Sequence, residues 1–556
     1  MTVQGSVGQQ AVSALAAPDT EGFTTLCDML LRADEARLVF PESGQVLTTG
    51  ELVERAGGIA AELADSGVGT GSVVGVLGPT SPDFVAAVFG IMFAGAAATL
   101  LPVPSMATGP DAAVEAFSGL LNKAGVRLVL TDAATAGLLT TLIPGETGIR
   151  LLEVGNCRTG TPPIACRPGP RDPAVVQFSS GSTAAPKGIV LTHEALLPSI
   201  RGTLARMGTT SSDIAWQWVP LFHDFGLIGL LSFLYIGLEA HLVNPGAFIR
   251  DTAGALRYLA EHRVTIFTGP NFAYDRLVSA ARSADGRPDL RFLRSAVNAG
   301  EVVRASTMRD FAEIRGKAGV MTPGYGMAEF CVGITLQHTE VVSRTVHVDR
   351  SSLENGARVR FLAEADPYGL PVVSQGPPFP GVTVRIVDAT GFPLPAGHVG
   401  EIEATGPNLM SGYLGDPEAT RERMHAGWFR TGDTGFLHDG ELYVTGRIKD
   451  VIIVAGRNIH AEDAESIAGV VDGVYHGHCV AVAEPDSERM LVVVETRSED
   501  HDALTTRVRQ AISGRLGIGE IAVRAVPRGW LPRTTSGKWR RAEVRERLAA
   551  QQEQHG

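Results

Sequence analysis

Positive charge is in short supply in this chain. Its 556 residues carry 48 Lys and Arg against 60 Asp and Glu, for a formal net charge of −12. A nucleic-acid binder usually shows a basic footprint, so the balance argues against that class and says little about substrate. Patterned cysteine is lacking as well. Cys27, Cys157, Cys166, Cys331 and Cys479 are odd in number and scattered, with no zinc-like spacing near histidines. This reads as a reduced intracellular protein without a disulfide frame. The opening residues, MTVQGSVGQQAVSALAAPDTEG, have no basic stretch followed by a leucine-rich core. No signal peptide is expected, and the expected location is cytoplasmic. No internal repeat and no long low-complexity linker interrupts the chain.

Two apolar runs are long enough to raise the question of a membrane span: FVAAVFGIMFAGAAATLL (84–101) and FGLIGLLSFLYIGLEAHLV (225–243). The first is rich in Ala and Gly, follows Pro82 and Asp83, and runs into Pro102 and Pro104. Each is expected to be a buried helix passing into a buried strand, with no membrane span.

At this length one core does not suffice, and two to four domains are expected. Short β-rich runs alternate with helical patterns: VVGVLG (73–78), VRLVLT (126–131), VVQFSS (175–180), IAWQWVPL (214–221) and VTIFTG (264–269), with GELVERAGGIAAELADSG typical of the helices. That alternation predicts an α/β fold with largely parallel sheets. The texture becomes turn-rich near 370 and changes again after TGRIKD (445–450). The expected fold class is therefore α/β. A large N-terminal domain (1–446) holds layered parallel-sheet subdomains and a β-rich subdomain at about 370–446. A small α+β C-terminal domain follows at 447–556.

The stretch QFSSGSTAAPKG (177–188) places hydroxyls and a glycine after a strand and ends on Lys187. Glycine permits close backbone approach, hydroxyls and backbone N–H groups can cradle phosphate oxygens, and the lysine adds a point charge. It lacks the GK[ST] ending of a Walker loop. The loop resembles the signature of the adenylate-forming superfamily, and five further stretches match in the family's order. These are PLFHDFGLIG (220–229), NAGE (298–301), GYGMAE (324–329), GWFRTGDTGFLHDGELYVTGRIKD (427–450) and PRTTSGKWRR (532–541).

The resemblance implies a reaction that joins a carboxylate to the α-phosphate of ATP and expels pyrophosphate, with Mg²⁺ as cofactor. It implies an ATP site made of Ser179, Ser180, Gly181, Ser182, Thr183, Lys187, Gly300, Glu301, Gly324, Tyr325, Gly326, Met327, Asp433, Arg447 and Lys538. Glu329 and Thr183 would hold the metal, a hard cation that seeks oxygen. Tyr325 would lie against adenine, Asp433 would take both ribose hydroxyls, and Arg447 would reach ribose or phosphate. Lys538 would enter from the small domain and place positive charge where two anions meet. His223 would sit by the acyl carboxylate. Phe222, Phe225, Asn271 and Phe272 would line an acyl tunnel. Lys449 would be the hinge of a mobile small domain. Arg540, Arg541, Arg545 and Arg547 read as basic surface.

Within the superfamily, the His–Asp pair of PLFHDFGLIG, the stretch GPNFAYDR and VAGRNIHAEDAE resemble the fatty acyl-AMP ligase branch. Residues 338–376 resemble that branch's extra insertion, which implies a restrained small domain and poor transfer to free coenzyme A. Ile459, His460 and Ala461 depart from the branch pattern, as does Gln375. No carrier-type Ser motif is present, so the thiol acceptor, an acyl carrier protein or coenzyme A, is external. The expected product is an acyl-adenylate of a hydrophobic acid, in lipid or specialised-metabolite biosynthesis such as a polyketide or antibiotic pathway. A full acyl-CoA synthetase is the alternative, and a catalytically silent acyl- or nucleotide-binding relative a second one.

Overall fold

The structure, a computed structural model, describes residues 22–102, 110–142, 148–160, 168–178, 186–284, 286, 288–366, 368–454, 457–484, 487, 489–533 and 539–553. Two large sheets dominate. One runs in the order Gly412–Tyr413, Gly188–Thr192, Pro173–Phe178, Ala97–Leu100, Val73–Leu77, Leu128–Thr131, Arg150–Glu153. The other runs Thr335–Leu336, Met321–Tyr325, Ser295–Asn298, Ile266–Gly269, Ile214–Gln217, Glu239–Leu242, Arg37–Phe40, Gln45–Thr48. Both are parallel in the middle and turn antiparallel at their edges, where Gly188–Thr192 pairs Pro173–Phe178 and Arg37–Phe40 pairs Gln45–Thr48. Helices cover them, as parallel strands require.

The two apolar runs behave as the sequence predicts. Pro82–Phe93 is a helix with Pro in its first turn, and the Ser81 hydroxyl accepts the Phe84 N–H at 3.2 Å. It leads into Ala97–Leu100, every residue of which is buried. The small residues serve helix packing: a Cβ on Gly90 would lie 2.6 Å from Ile59 Cγ2, on the facing helix Thr49–Asp65. Asp224–Ile236 is likewise a helix, ended by left-handed Gly237 (φ 70°) and followed by Glu239–Leu242. Both helices are almost wholly buried in one core shared by the two sheets. Among the described residues no helix is long and apolar enough to cross a membrane.

A five-stranded sheet of Thr383–Val387, Gly400–Thr405, Trp428–His438, Met424–His425 and Glu441–Arg447 follows. Residues 338–376 build a separate antiparallel sheet of Phe361–Leu362, Thr345–Asp349 and Gly369–Val373. Val348, Val359 and Val372 of that segment pack on Val399, Phe436 and Tyr443 of the five-stranded sheet. The C-terminal part has its own core, formed by helices Ala461–Ala468 and His501–Leu516 on the sheet Val474–Ala483, Met490–Thr496, Ile521–Pro527. A last helix, Arg541–Glu553, lies where the sequence reading placed only basic surface.

Candidate active site

A cleft of about 2050 Å³ lies between the C-terminal ends of the large sheets and the C-terminal part. At one end, strand Met321–Tyr325 delivers Tyr325, whose hydroxyl donates to Asp433 Oδ2 at 2.7 Å. Asp433 sits opposite Arg447 in the register of strands Trp428–His438 and Glu441–Arg447. Arg447 Nε lies 3.0 Å from Asp433 Oδ1. The carboxylate is 5 % exposed, and each oxygen keeps a second lone-pair direction for a ribose hydroxyl. Burial, then the nearby Asp433 charge, drives the Tyr325 phenol well above its usual range, so it stays a donor. Asp433 in turn holds the Arg447 guanidinium above its ordinary value. Gly326 must be glycine: a Cβ there would fall 1.6 Å from the Val332 carbonyl. Gly324, Gly326 and Met327 line the same wall.

Next to this trio, the one-turn helix Ala328–Phe330 carries Glu329, whose Oε1 accepts the Tyr413 hydroxyl at 2.9 Å. Burial raises its carboxyl, while the Tyr413 bond acts in the opposite direction. Lys187 Nζ stands over the Tyr413 ring, 4.8 Å from its centroid. Sequence reasoning passed over Tyr413. It belongs to a two-residue strand whose only visible signal is the turn SGYLGDP before the capped helix Pro417–Arg423.

His223 precedes helix Asp224–Ile236 and lines the cleft with Asp224 and Phe225. The preceding Phe222 ring lies 5.4 Å from the His223 ring. Phe272 and Asn271 also face the cleft. Asn271, however, uses its amide as a brace. Its Oδ1 accepts from Asn298 Nδ2 (3.0 Å) and the Arg304 N–H (3.1 Å), and its Nδ2 donates to the Val302 carbonyl (2.9 Å). These bonds fix the loop of Gly300 (φ 90°) and Glu301, both on the cleft wall.

The opposite wall comes from the C-terminal part. Arg533 and Trp539 both line the cleft, form a β-bridge, and stack with the guanidinium carbon 3.5 Å from the ring centroid. They bracket residues 534–538. Lys538 therefore lies outside the described residues, as do Ser179, Ser180, Gly181, Ser182 and Thr183. Burial pushes the Arg533 guanidinium down, against which the charges of Glu495 and then Glu301 act. Lys449 sits in the turn Ile448–Asp450 on the cleft wall, and burial pushes its ammonium down.

Arg541 corrects the expectation of a solvated basic tail. It lies among three carboxylates, Asp450 (3.1 Å), Glu462 (3.0 Å) and Glu465 (2.8 Å). Among the described residues a single ion pair joins the 338–376 insertion to the C-terminal part: Arg350 Nη1 with Asp463 Oδ2. Among the described residues no group of three or more His, Cys, Asp or Glu forms a metal cluster. Glu329 near Lys187 still suits Mg²⁺, which usually binds through one or two carboxylates plus substrate phosphates.

Comparison with known proteins points to a family. The AMP-binding enzyme family model matches residues 31–414. A medium-chain-fatty-acid–[acyl-carrier-protein] ligase of Moorena producens is 31% identical over 94% of this chain and 95% of its own. A long-chain-fatty-acid–AMP ligase of Mycobacterium marinum is 31% identical, covering 90% and 91%. Among solved structures, one from a study of fatty acyl-adenylate ligases of E. coli and L. pneumophila superposes with a TM-score of 0.85. It is 27% identical and covers 95% of this chain and 98% of that one.

Proposed function

The chain belongs to the AMP-binding enzyme family, and from that premise we propose how its cleft makes an acyl-adenylate and which thiol receives the acyl group. It is a ligase that activates a carboxylic acid with ATP. The observation that carries the reading is the pairing of two walls across one cleft. Tyr325, Asp433 and Arg447 form a nucleoside-type cradle on one, and Arg533 and Trp539 stand on the other.

In this reading adenine lies against Tyr325 and the ribose hydroxyls bond to Asp433. The phosphates run toward Lys187. The acid enters past His223 and Phe225, and its carboxylate oxygen attacks the α-phosphorus as pyrophosphate leaves. Both reactants are anions, so fixed cations lower the barrier. Lys538 supplies one and Arg447 another. Glu329, with Thr183, would hold Mg²⁺, which when bound neutralises phosphate charge. The division at 446/447 lets the small domain turn about Lys449 between half-reactions.

For the acceptor, the reading favours a carrier-protein thiol over free coenzyme A. Support comes from the insertion's own sheet and its Arg350–Asp463 tie to the C-terminal part, which resists the turn that thiol transfer needs. The carrier-protein ligase of Moorena producens, similar over nearly the full chain, fits this. Cys157, Cys331 and Cys479, which form no disulfide among the described residues, suit a cytoplasmic enzyme. The place in lipid or specialised-metabolite synthesis follows from the acceptor.

Acid-dependent exchange of pyrophosphate into ATP tests the first half-reaction across straight-chain, cyclic and aromatic acids. Transfer to a phosphopantetheinylated carrier protein against coenzyme A tests the second. No exchange with any acid refutes the activity, and faster acyl-CoA than acyl-carrier formation refutes the acceptor.

A further inference from the structure

We propose that Tyr413 is a positioning residue that holds the site's metal-facing carboxylate and its phosphate-facing lysine apart and in register. The inference rests on the nucleotide site proposed above. Two opposite charges facing the same cleft tend to collapse onto each other when no ligand separates them. Here each is engaged by Tyr413 instead: the phenol hydroxyl donates to Glu329 Oε1 at 2.9 Å, and the ring face takes Lys187 Nζ at 4.8 Å. One side chain thereby sets two charges that come from different sheets.

The segment that carries Tyr413 is built as a brace. The Met410 N–H donates to the Glu329 carbonyl (2.8 Å), the Ser411 N–H to the Val190 carbonyl (3.0 Å), and the Leu414 N–H to the Gly188 carbonyl (2.7 Å). Asn408 Nδ2 donates to the carbonyls of Phe330 (3.0 Å) and Gly333 (2.7 Å). The Tyr413 N–H donates to Thr420 Oγ1 (2.9 Å), whose hydroxyl donates to the Asp416 carbonyl (2.9 Å). Residues 408–420 therefore clip the Glu329 turn to the strand that begins just after Lys187. The hydroxyl contact leaves Glu329 Oε2 for an incoming cation, and the ring contact leaves the ammonium hydrogens for phosphate.

The test measures ATP binding to the full chain by calorimetry, with Mg²⁺ and with EDTA, with no acid present. Tyr413→Phe keeps the ring and removes the hydroxyl. It should weaken the tightening of ATP by Mg²⁺ about tenfold and leave metal-free ATP binding as in wild type. Tyr413→Leu should weaken metal-free binding as well, because Lys187 loses its platform. Thr420→Val, which touches neither charge, should shift the Mg²⁺ dependence in the same direction by a smaller factor. It carries the same test should Tyr413→Phe fail to fold. Identical Mg²⁺ dependence in wild type, Tyr413→Phe and Thr420→Val would overturn this assignment alone. Wild-type protein that binds no nucleotide would overturn it together with the functional reading.

Discussion

Replacing Arg350 by Ala removes the one ion pair that, among the described residues, joins the 338–376 insertion to the C-terminal part. The side chains are 26% and 18% exposed, so the pair is screened less than a surface pair and more than a core one. A pair of this kind is worth about 1 kcal/mol. If it holds the C-terminal part against the turn needed for thiol transfer, its loss shifts that equilibrium about fivefold, since 1.4 kcal/mol is about tenfold. The assay follows acyl-CoA formation at subsaturating coenzyme A, beside acid-dependent pyrophosphate exchange in the same preparation. Arg350→Ala should raise acyl-CoA formation about fivefold and leave exchange within twofold. Asp463→Ala should do the same, and the double variant should add nothing further, because one interaction is lost in all three. Unchanged acyl-CoA formation with unchanged exchange would refute the restraint. An equal fall in both would show that the pair supports the adenylating geometry instead.

Asp433→Ala removes the acceptor shared by Tyr325 and Arg447, and pyrophosphate exchange should fall about 10²–10³-fold, read as kcat/KM for ATP. Trp539→Ala removes the platform under Arg533 at the base of the 534–538 segment. Adenylation should slow about threefold to fivefold, while transfer from pre-formed acyl-adenylate, measured in single turnover, stays unchanged. His193 is fully buried, accepts the Leu26 N–H at Nδ1 (3.2 Å), and burial lowers its pKa to about 4. The unfolded chain, at about 6.5, then binds the proton first. Stability is complete above that value and is lost as pH falls from about 6.5 toward 4, by up to about 3 kcal/mol. His193→Asn should flatten the denaturation midpoint against pH across that window.

The apolar spans were legible because their exits are local. Ser81 and Pro82 start one helix, Gly237 ends another, and Ala and Gly fit helix-to-helix approach at Gly90. Tyr325, Asp433 and Arg447 were legible as motif members, yet their mutual bonds depend on a strand register that no spacing encodes. Tyr413 was missed because two residues carry no periodicity, and only pairing with Gly188–Thr192 brings it to Glu329. Arg541 was misread because Arg540, Arg545 and Arg547 surround it in sequence. Helix phase turns one of the four into the carboxylates Asp450, Glu462 and Glu465, and composition cannot choose which. Asn271 faces the cleft, yet the bracing of its amide by backbone and Asn298 is a contact no spacing encodes.

The same contacts bear on the proposed turn of the C-terminal part about Lys449. Arg541 binds Asp450, one residue past Lys449, to the helix Ala461–Ala468. That makes the C-terminal part rigid right up to the turn. In the proposed turn, the change in backbone angles would then fall on Ile448 and Lys449. Across the joint, the described ties include the Arg350–Asp463 pair and the packing of His460 on Gly446, where φ is 152° and a Cβ would lie 2.4 Å from Nδ1. In the proposed mechanism, converging anions in the cleft would favour a closed position of the C-terminal part, and release of pyrophosphate would remove that bias. Substitution of Gly446 by Ala blocks the His460 contact directly, so it should depress adenylation before it affects acyl transfer.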